Sequence, residues 1–395
     1  MDVLRRQFLA HIAQTSPSPL LVEVERAEGI YFWSPDGKRY VDLIAGVTVS
    51  NLGHSNPAVV EAVCSQARSY MHMMVYGEMV EKPQVKYARR LAENLPGHLQ
   101  SAYFLNSGAE AVEGALKLAK RFTGRPQLVS FCGAYHGSTH GAMSVMGGEL
   151  YKNAYRPLLP DVMQLEFNNF DDLQQITERT ACVITEPVQS ENGVRLPTEG
   201  YLAALRKRCD EVGALLIFDE IQTAMGRSGE LFAFMKYGVA PDILVLSKAF
   251  GGGMPLSAFI SSAGIMKTLS LDPPLGHITT FGGHPVCCAA GLAAFEYILE
   301  NGLWLNAEDI GAIFESRLAG HPAVRQVRRC GLLMAVELGD AGTLARMMRL
   351  LTENGYLSDW FLFCDTAFRI SPPLTITASQ AEECCRDIVS LLDRL

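Results

Sequence analysis

One lysine in the sequence lies where a reactive amine would be placed. Lys248 closely follows the apolar run Ile243 to Leu246, and three glycines at 251 to 253 come soon after it. Removing an amine from water lowers its pKa, and the uncharged amine is a nucleophile toward carbonyl carbon. A lysine with no role beyond solvation at the surface is not expected between a buried strand and a glycine-rich turn. The sequence therefore predicts that Lys248 takes part in chemistry.

Three carboxylates also come directly after apolar runs. Asp219 and Glu220 follow Ala214 to Phe218, while Glu186 follows Ala181 to Thr185 and precedes a proline. A buried carboxylate is costly unless it is paired with a donor or a cation. We therefore expect these carboxylates to have partners, either in the protein or in a ligand.

The segment Asn106 to Glu110 follows another apolar run, Tyr103 to Leu105, and opens a helical pattern. The first turn of a helix leaves N–H groups that can hold a phosphate, and Gly108 would allow a close approach. A serine at this position is more often only a helix cap, so Ser107 alone is weak evidence. Ser107, Gly108 and Ala109 are candidate phosphate ligands that need support from other features.

Tyr135 and His136 follow a further apolar run, Leu128 to Cys132. They place an aromatic ring and an imidazole at the same predicted edge of the sheet. Tyr135 could stack on a planar ligand, although a packed loop aromatic is the commoner explanation in isolation.

One cofactor requires all of these features together. Pyridoxal phosphate needs a lysine for a Schiff base, an acid that keeps its pyridine nitrogen protonated, an anion site and a group packed on its ring. The sequence supplies these in order with Lys248, Asp219, Ser107 to Ala109, and Tyr135. Nucleotide and metal sites fit less well. Ala249 replaces the Ser or Thr of a phosphate loop, no dinucleotide glycine motif opens the first helix, and the histidines lack the helical spacing of metal ligands.

A sheet must position these residues. From residue 100 to 262, short apolar runs alternate with amphipathic stretches such as Ala111 to Arg121, which is typical of a mainly parallel α/β sheet. Ligands bind such sheets beyond the carboxyl ends of the strands, where the candidate residues stand. The predicted strands are Tyr103 to Leu105, Leu128 to Cys132, Ala181 to Thr185, Ala214 to Phe218, Ile243 to Leu246 and Ala258 to Ser261.

The flanks of this region predict a second layer. Ile30 to Trp33 and Arg39 to Val41 form a predicted hairpin around an Asp36-Gly37 turn. The C-terminal part predicts an α+β cap, with helices near Ala289 to Glu300 and Thr343 to Asn354 and a strand near Leu332 to Leu338.

Composition indicates a globular enzyme that acts on small molecules. The chain has 395 residues, 48% of them hydrophobic, and a net charge of −8 without a cluster of Lys or Arg, so neither nucleic acid nor a membrane is an expected partner. The N-terminus lacks a signal sequence, and no apolar run reaches the roughly 18 residues that a membrane span needs. The ten cysteines are scattered without metal-type spacing. We expect a soluble, cytoplasmic protein with reduced thiols.

Together these motifs resemble the class III, ω-amino-acid type aminotransferases of the fold type I pyridoxal-phosphate family, the group that includes acetylornithine, ornithine and 4-aminobutyrate aminotransferases. The similarity begins at Asp36 to Asp42 and Leu52 to Pro57 and includes every strand-end motif above. It continues through His277 to Pro285 and Phe368 to Leu374.

The resemblance implies a particular architecture. A large cofactor-binding domain over residues 56–290 would contain a seven-stranded, mostly parallel sheet. A small α+β domain would be made from both chain ends, residues 1–55 and 291–395. Two such chains would form a homodimer with both active sites at the subunit interface.

The resemblance also implies roles for single residues. Thr280 would reach the phosphate on the neighbouring subunit's cofactor, and Gln222 would lie near the cofactor's ring oxygen. Arg369 would bind a substrate carboxylate, for which a planar guanidinium is suited, and Glu186 would pair with Arg369 when an amine substrate is bound. Further candidates are His136, Glu186 and Ile221 at the cofactor and Thr279 at the substrate.

The reaction implied is amino transfer. Lys248 would hold the cofactor as a Schiff base, be displaced by the amino donor, and then move the α-proton as base and acid. The expected donor is the terminal amine of a diamino or ω-amino compound, ornithine-like, and the expected acceptor is 2-oxoglutarate with its carboxylate on Arg369.

One position departs from the acetylornithine, ornithine and 4-aminobutyrate pattern. Those enzymes carry Arg two residues after the His of the Tyr-His-Gly segment to hold a distal carboxylate, and this chain has Ser138. The substitution removes a contact of roughly 1.5 to 3 kcal/mol. A diamine or 7,8-diaminopelargonate type transaminase is therefore an alternative, as is an aminomutase of the glutamate-1-semialdehyde type. The sequence does not determine which residues line the donor pocket. Val47, Tyr76 and Thr279 are the candidates.

Overall fold

The computed structural model describes residues 3–395, in which helices and strands follow the alternation seen in the sequence. The helices predicted near residues 289–300 and 343–354 are confirmed, with slightly different bounds. The α-helices are Val3–His11, Pro57–Ser69, Lys82–Ala92, Gly108–Thr123, His140–Val145, Tyr201–Val212, Ala233–Tyr237, Ala263–Met266, Pro285–Asn301, Leu303–Leu318, Ala341–Glu353 and Ala378–Leu392. Short 3₁₀ turns occur at Glu149–Tyr151, Asn153–Tyr155, Asp171–Gln175, Lys248–Gly251 and Lys267–Ser270.

A seven-stranded sheet forms the centre of the molecule, as expected. Across the sheet its strands are Ser101–Leu105, Ser257–Ser261, Ile243–Leu246, Leu215–Asp219, Thr180–Thr185, Gln127–Phe131 and Val162–Leu165. Ser257–Ser261 runs antiparallel to both of its neighbours, and the remaining pairs are parallel. Six strands lie where the sequence predicts them. Val162–Leu165 was missed because it is an edge strand with one buried residue, and so carries no apolar run.

Two smaller sheets make the second layer. The predicted hairpin is confirmed as Tyr31–Trp33 paired with Arg39–Asp42, and the predicted C-terminal strand is Leu333–Glu337. One sheet contains Arg26–Glu28, Tyr31–Trp33, Arg39–Asp42 and Tyr356–Leu357, and the other contains Gln326–Cys330, Leu333–Glu337, Cys364–Ile370 and Trp360–Phe361. The pairing of Tyr356 with Val41 joins the two chain ends in one sheet.

The helix Gly108–Thr123 begins and ends at sequence signals that fix its position. Ser107 accepts a hydrogen bond from the Glu110 N–H, and the Glu110 side chain accepts one from the Ser107 N–H, which is a complete capping box. Gly124 closes the helix in the left-handed conformation, with φ +67°. The start of the helix is thereby held directly after the strand Ser101–Leu105.

A turn of left-handed backbone lies at Ala45–Thr48. Its four residues have φ values of +48° to +61°, although only Gly46 is a glycine, and such consecutive left-handed residues are rare. Asp42 stabilises the entrance to the turn, since its Oδ1 accepts the N–H groups of Ile44 and Ala45 at 2.9 and 2.8 Å. The turn is therefore specified by side-chain hydrogen bonds and not by glycine alone.

No single helix in residues 3–395 is long and apolar enough to cross a membrane. The pair Pro285–Asn301 and Leu303–Leu318 meets the length and composition criteria jointly but is bent by 70°. Much of the first of these helices is buried, and it packs against the helices Pro57–Ser69 and Lys82–Ala92. All ten cysteines are free thiols.

Candidate active site

Lys248 lies at the carboxyl end of the strand Ile243–Leu246 and is half-buried. Its backbone has φ +54°, a conformation that costs a non-glycine residue about 1 to 3 kcal/mol and that persists only where its surroundings enforce it. Its Nζ donates a hydrogen bond to the carbonyl of Val47 in the left-handed turn, at 3.3 Å. Burial lowers the pKa of Lys248, an effect that Arg369 reinforces and Glu191 opposes. A lowered pKa favours the uncharged form of the amine, which is the nucleophilic one.

Asp219 ends the neighbouring strand and is almost fully buried. Its Oδ1 accepts the N–H of Ile221 at 3.0 Å, and its Oδ2 lies 2.8 Å from His136 Nδ1. An ionised carboxylate can only accept, so His136 donates through Nδ1. The ring of His136 is also buried, and within residues 3–395 its Nε2 has no hydrogen-bond partner. The pair places a buried carboxylate at the same edge of the sheet as Lys248.

Glu220, the second carboxylate of this motif, has a structural role. It is fully buried and accepts the N–H groups of Ala233 and Phe234 at 2.6 and 2.7 Å and the hydroxyl of Thr223 at 3.2 Å. Burial raises the pKa of Glu220 to about 7, although these three hydrogen bonds act to lower it. Glu220 therefore anchors the helix Ala233–Tyr237 and does not face Lys248 as a partner.

The candidate phosphate ligands lie at the start of a long helix, as expected. Gly108 and Ala109 are in its first turn, where an α-helix has N–H groups without an internal acceptor. A Cβ on Gly108 would lie 2.7 Å from the Ile221 Cδ1 atom, so any larger residue would force the Ile221 side chain to shift. Ile221 in turn lies two residues after Asp219 in the same loop. The packing places the helix start beside the Asp219 loop.

Tyr135 and Glu186 lie on neighbouring loops. Tyr135 is half-buried, and its hydroxyl lies 3.1 Å from the Ser138 hydroxyl. Glu186 is buried, and its two oxygens accept the N–H groups of Tyr135 and Ser190 at 3.1 and 2.9 Å. Burial and the charge of Asp219 raise the pKa of Glu186 to about 8. Glu186 therefore fixes the Tyr135 loop.

The predicted pairing of Glu186 with Arg369 is wrong in this structure, because Arg369 pairs with Glu191. Arg369 Nη2 donates to both oxygens of Glu191 at 2.9 and 3.0 Å, and both side chains are buried. Glu186 is satisfied by backbone N–H groups, whereas Glu191 lies five residues further along the same loop. Burial would raise the pKa of Glu191, but the charges of Arg369 and Lys248 lower it.

Gln222 completes this cluster. Its Nε2 donates to Glu191 at 2.7 Å, and its Oε1 accepts from Arg369 Nη1 at 3.0 Å. Both ends of its amide are therefore engaged by protein side chains, and its approach to the cofactor's ring oxygen stays a prediction. Asp359, a second residue absent from the predicted site, lies 3.0 Å from Arg369 Nε.

A signal for Glu191 was present in the sequence, since it is a second glutamate in the run Glu186 to Glu191, a strand-end loop. Asp359 had no such signal, because it lies between short strands in the C-terminal part.

The loop that carries Thr279 and Thr280 is at the surface. Thr280 is exposed, which leaves it accessible to another molecule. The Thr279 hydroxyl instead accepts the Gly282 N–H at 3.1 Å, so it stabilises the loop itself. Thr279 and Tyr76 line the same cleft, which has a volume of about 280 Å³.

These residues fit pyridoxal phosphate. A buried amine of lowered pKa, a buried carboxylate and the first turn of a helix lie at one edge of the sheet, and their chemistry matches the aldehyde, the ring nitrogen and the phosphate of this cofactor. Lys248, Asp219 and the Ser107 to Ala109 segment are the residues that would hold it.

Comparison with known proteins gives the same family along the whole chain. The family model described as aminotransferase class-III matches residues 12–392. The acetylornithine aminotransferase of Methanopyrus kandleri is 41% identical over 339 residues, which is 85% of each chain.

Two solved structures have the same fold. The ornithine aminotransferase of Toxoplasma gondii superposes with a TM-score of 0.91 at 29% identity, covering 98% of this chain and 93% of that one. An (S)-enantioselective omega-transaminase from Thermomicrobium roseum superposes with a TM-score of 0.92 at 29% identity, covering 99% and 98%. The expected fold type I architecture is confirmed. Because the family model and these relatives cover nearly the whole chain, the protein belongs to the class III pyridoxal-phosphate-dependent aminotransferases.

Proposed function

We propose that this enzyme moves the terminal amino group of a diamino or ω-amino compound, ornithine-like, to 2-oxoglutarate. The observation that carries the proposal is the buried Arg369–Glu191 pair beside Lys248. A carboxylate substrate can bind Arg369 only by displacing Glu191, whereas an amine donor leaves the pair intact. One site can therefore accept an amine in one half of the reaction and a keto acid in the other.

Each residue has a defined part in this proposal. The cofactor, when bound, supplies an electron sink for the carbon that loses a proton. Lys248 Nζ carries that proton as general base and then acid, which its lowered pKa favours. Asp219, oriented by His136, keeps a proton on the ring nitrogen, and the first turn of the helix Gly108–Thr123 binds the phosphate.

Two observations bear on the donor. The relatives include enzymes named for acetylornithine and for ornithine, which supports a donor of that kind. Ser138, however, is a small hydroxyl bonded to Tyr135 and offers no positive charge for a distal carboxylate. A diamine-type donor without such a carboxylate is the second candidate.

The test is a panel of donors against 2-oxoglutarate, with glutamate as the measured product. Ornithine, N-acetylornithine, 4-aminobutyrate, lysine and putrescine cover the proposed classes, and Lys248→Ala serves as the inactive control. We expect one donor class to be clearly preferred. Equal, weak turnover of all five would contradict the diamino or ω-amino assignment. Failure of the pyridoxamine-loaded enzyme to form glutamate from 2-oxoglutarate would favour the aminomutase reaction instead.

We further propose a homodimer in which Thr280 serves the cofactor of the other subunit. Exposed apolar side chains occur on the segment that carries Thr280 and on a second segment, and the two segments touch through the rings of His72 and Phe281, 5.0 Å apart. They are Met71, Met73, Met74, Met79, Val80, Leu271, Leu275, Ile278 and Phe281. Clusters of exposed apolar side chains are typical of protein–protein interfaces, which supports the homodimer.

The division into a large domain at 56–290 and a small domain from 1–55 and 291–395 is also a proposal. A hydrophobic cluster that contains Ile30 and Val41 together with Met334 and Ile388 supports it, since it unites both chain ends. A cytoplasmic location is proposed as well, in keeping with ten cysteines that are all free thiols.

A further inference from the structure

Each nitrogen of the Arg369 guanidinium has a polar side chain within about 3.0 Å. Nη2 is bonded to Glu191, Nη1 to Gln222 at 3.0 Å, and Nε lies 3.0 Å from Asp359 Oδ1. The ring of Phe361 covers one face of the guanidinium, with the ring centroid 4.6 Å from Arg369 Cζ. An incoming carboxylate must therefore displace one of these groups, and two of them are carboxylates.

Asp359 is held beside Arg369 by the backbone. The Arg369 N–H donates to the Asp359 carbonyl at 2.8 Å, and the Ser358 hydroxyl donates to the Arg369 carbonyl at 2.8 Å. Asp359 also has a shorter side chain than Glu191, with fewer bonds about which it can turn away. When Glu191 moves aside for a carboxylate substrate, Asp359 therefore stays next to Nε.

The carboxylates that contact Arg369 outnumber its single positive charge. Arg369 carries one positive charge, whereas Glu191 and Asp359 together carry two negative charges at contact distance. With Glu191 displaced, the remaining Asp359–Arg369 pair is neutral and attracts an anion only weakly. A substrate that brings no carboxylate to Arg369 does not have to displace Glu191 and does not depend on this weak attraction.

We propose that Asp359 is a specificity-determining residue that neutralises Arg369 and thereby selects amino donors without a carboxylate on the reacting carbon, such as diamines, ω-amino acids and simple primary amines, over α-amino acids. This inference rests on the proposed aminotransferase function and narrows its donor class. The 2-oxo acid acceptor still uses Arg369, so its binding is the step that Asp359 weakens.

The same arrangement makes acceptor binding depend on pH. Burial raises the pKa of Asp359 to about 6, with Glu191 adding to the shift and Arg369 and Lys248 opposing it. Below that pH Asp359 is neutral and Arg369 is freer to bind a carboxylate. Affinity for a 2-oxo acid should therefore rise as the pH falls through about 6.

The test compares Asp359→Asn with the charge-retaining Asp359→Glu and with Asp365→Asn, which removes an exposed carboxylate from the adjacent strand. Calorimetry of the cofactor-loaded protein with glutarate, a dicarboxylate that cannot react, measures affinity without turnover. Well above pH 6 we expect Asp359→Asn to bind glutarate at least about threefold more tightly, a change of about 0.65 kcal/mol or more, while the two comparison variants stay near the unmodified protein. Below pH 6 the difference should vanish.

Donor selectivity is the second measurement. We expect Asp359→Asn to lower the ratio of kcat/KM for putrescine to kcat/KM for alanine, and Asp365→Asn to leave the ratio unchanged. Unchanged glutarate affinity together with an unchanged ratio would overturn the role of Asp359. If no donor forms glutamate even with the unmodified protein, the proposed function fails, while the glutarate affinities still report on Asp359.

Discussion

Arg227 and Asn51, which lie 176 positions apart in the sequence, form a buried hydrogen bond of 2.6 Å between Nη2 and Oδ1. Arg227 Nη1 also donates to the carbonyls of Leu332 and Pro372 at 3.0 and 2.6 Å. Burial lowers the pKa of Arg227 to about 9, which means that keeping this side chain charged inside the protein costs free energy. The Arg227 side chain therefore connects the loop that follows the strand Leu215–Asp219 to both the N-terminal and the C-terminal parts of the chain.

Arg227→Met should destabilise the fold strongly, because it leaves three buried oxygens without their donor. We expect a loss of about 3 kcal/mol or more in the free energy of unfolding, measured from denaturant midpoints. Arg89→Met is the matched control, since Arg89 is 79% exposed and pairs only with a surface glutamate. Its effect should stay within about 0.5 kcal/mol. Similar losses in both variants would show that the three hydrogen bonds do not stabilise the fold.

The Arg369–Glu191 pair should behave as a coupled unit. Glu191→Ala leaves a buried guanidinium with one fewer counter-ion, which costs about 3 kcal/mol of stability in buried pairs. Glu191→Ala combined with Arg369→Met removes both charges, so the double variant should lose less than the sum of the single variants, by at least about 1 kcal/mol. Additive losses in the unfolding midpoints would mean that the two residues are energetically independent.

Asp219→Asn should separate cofactor binding from chemistry. The amide keeps the shape of the carboxylate but cannot hold a proton on the ring nitrogen, so single-turnover rates should fall by at least about 100-fold. Cofactor fluorescence should show that binding persists, because the phosphate and Lys248 contacts remain. A variant that binds cofactor and retains full turnover would contradict the role of Asp219.

The sequence predicted the central sheet well because each strand is an apolar run that ends in polar residues. The same signal located Lys248, Asp219 and the helix start after Ser107, since strand ends of one sheet must meet at its edges. Only the edge strand Val162–Leu165 was missed, and it lacks the burial that generates the pattern.

The partners of Arg369 could not be predicted in the same way. Glu186 and Glu191 lie on one loop, and which of them reaches Arg369 depends on the path of that loop. Glu186 accepts two backbone N–H groups, which leaves Glu191 to face the guanidinium. Asp359 reaches Arg369 through pairing between strands, a relationship that no local spacing encodes.

Glu81 should make stability depend on pH. It is 4% exposed, and neither of its oxygens has a hydrogen-bond partner in residues 3–395. Burial raises its pKa above 4.5, with the charge of His72 opposing the shift. The folded protein then holds a proton that the unfolded chain releases, so the free energy of unfolding should fall as the pH rises from 4.5 through the raised pKa.

Glu81→Gln should remove this slope and raise the melting temperature at neutral pH, because it replaces a buried charge with a neutral amide. Glu178→Gln, at an exposed position, is the control and should leave the pH profile unchanged. Thermal melts across the acid to neutral range provide the measurement. An identical slope in Glu81→Gln and the unmodified protein would mean that Glu81 is not the titrating group.

Thr280 should act on the active site of the other subunit, which a complementation experiment can test. Thr280→Glu places a negative charge against the cofactor phosphate, and Lys248→Ala removes the reactive amine, so each variant alone should be inactive. In co-expressed mixed dimers one site would carry both defects and the other none. With random pairing, about a quarter of the sites should regain activity. If Thr280 instead served the site of its own chain, every site in the mixed dimer would contain one defect, and turnover would stay at the level of the single variants.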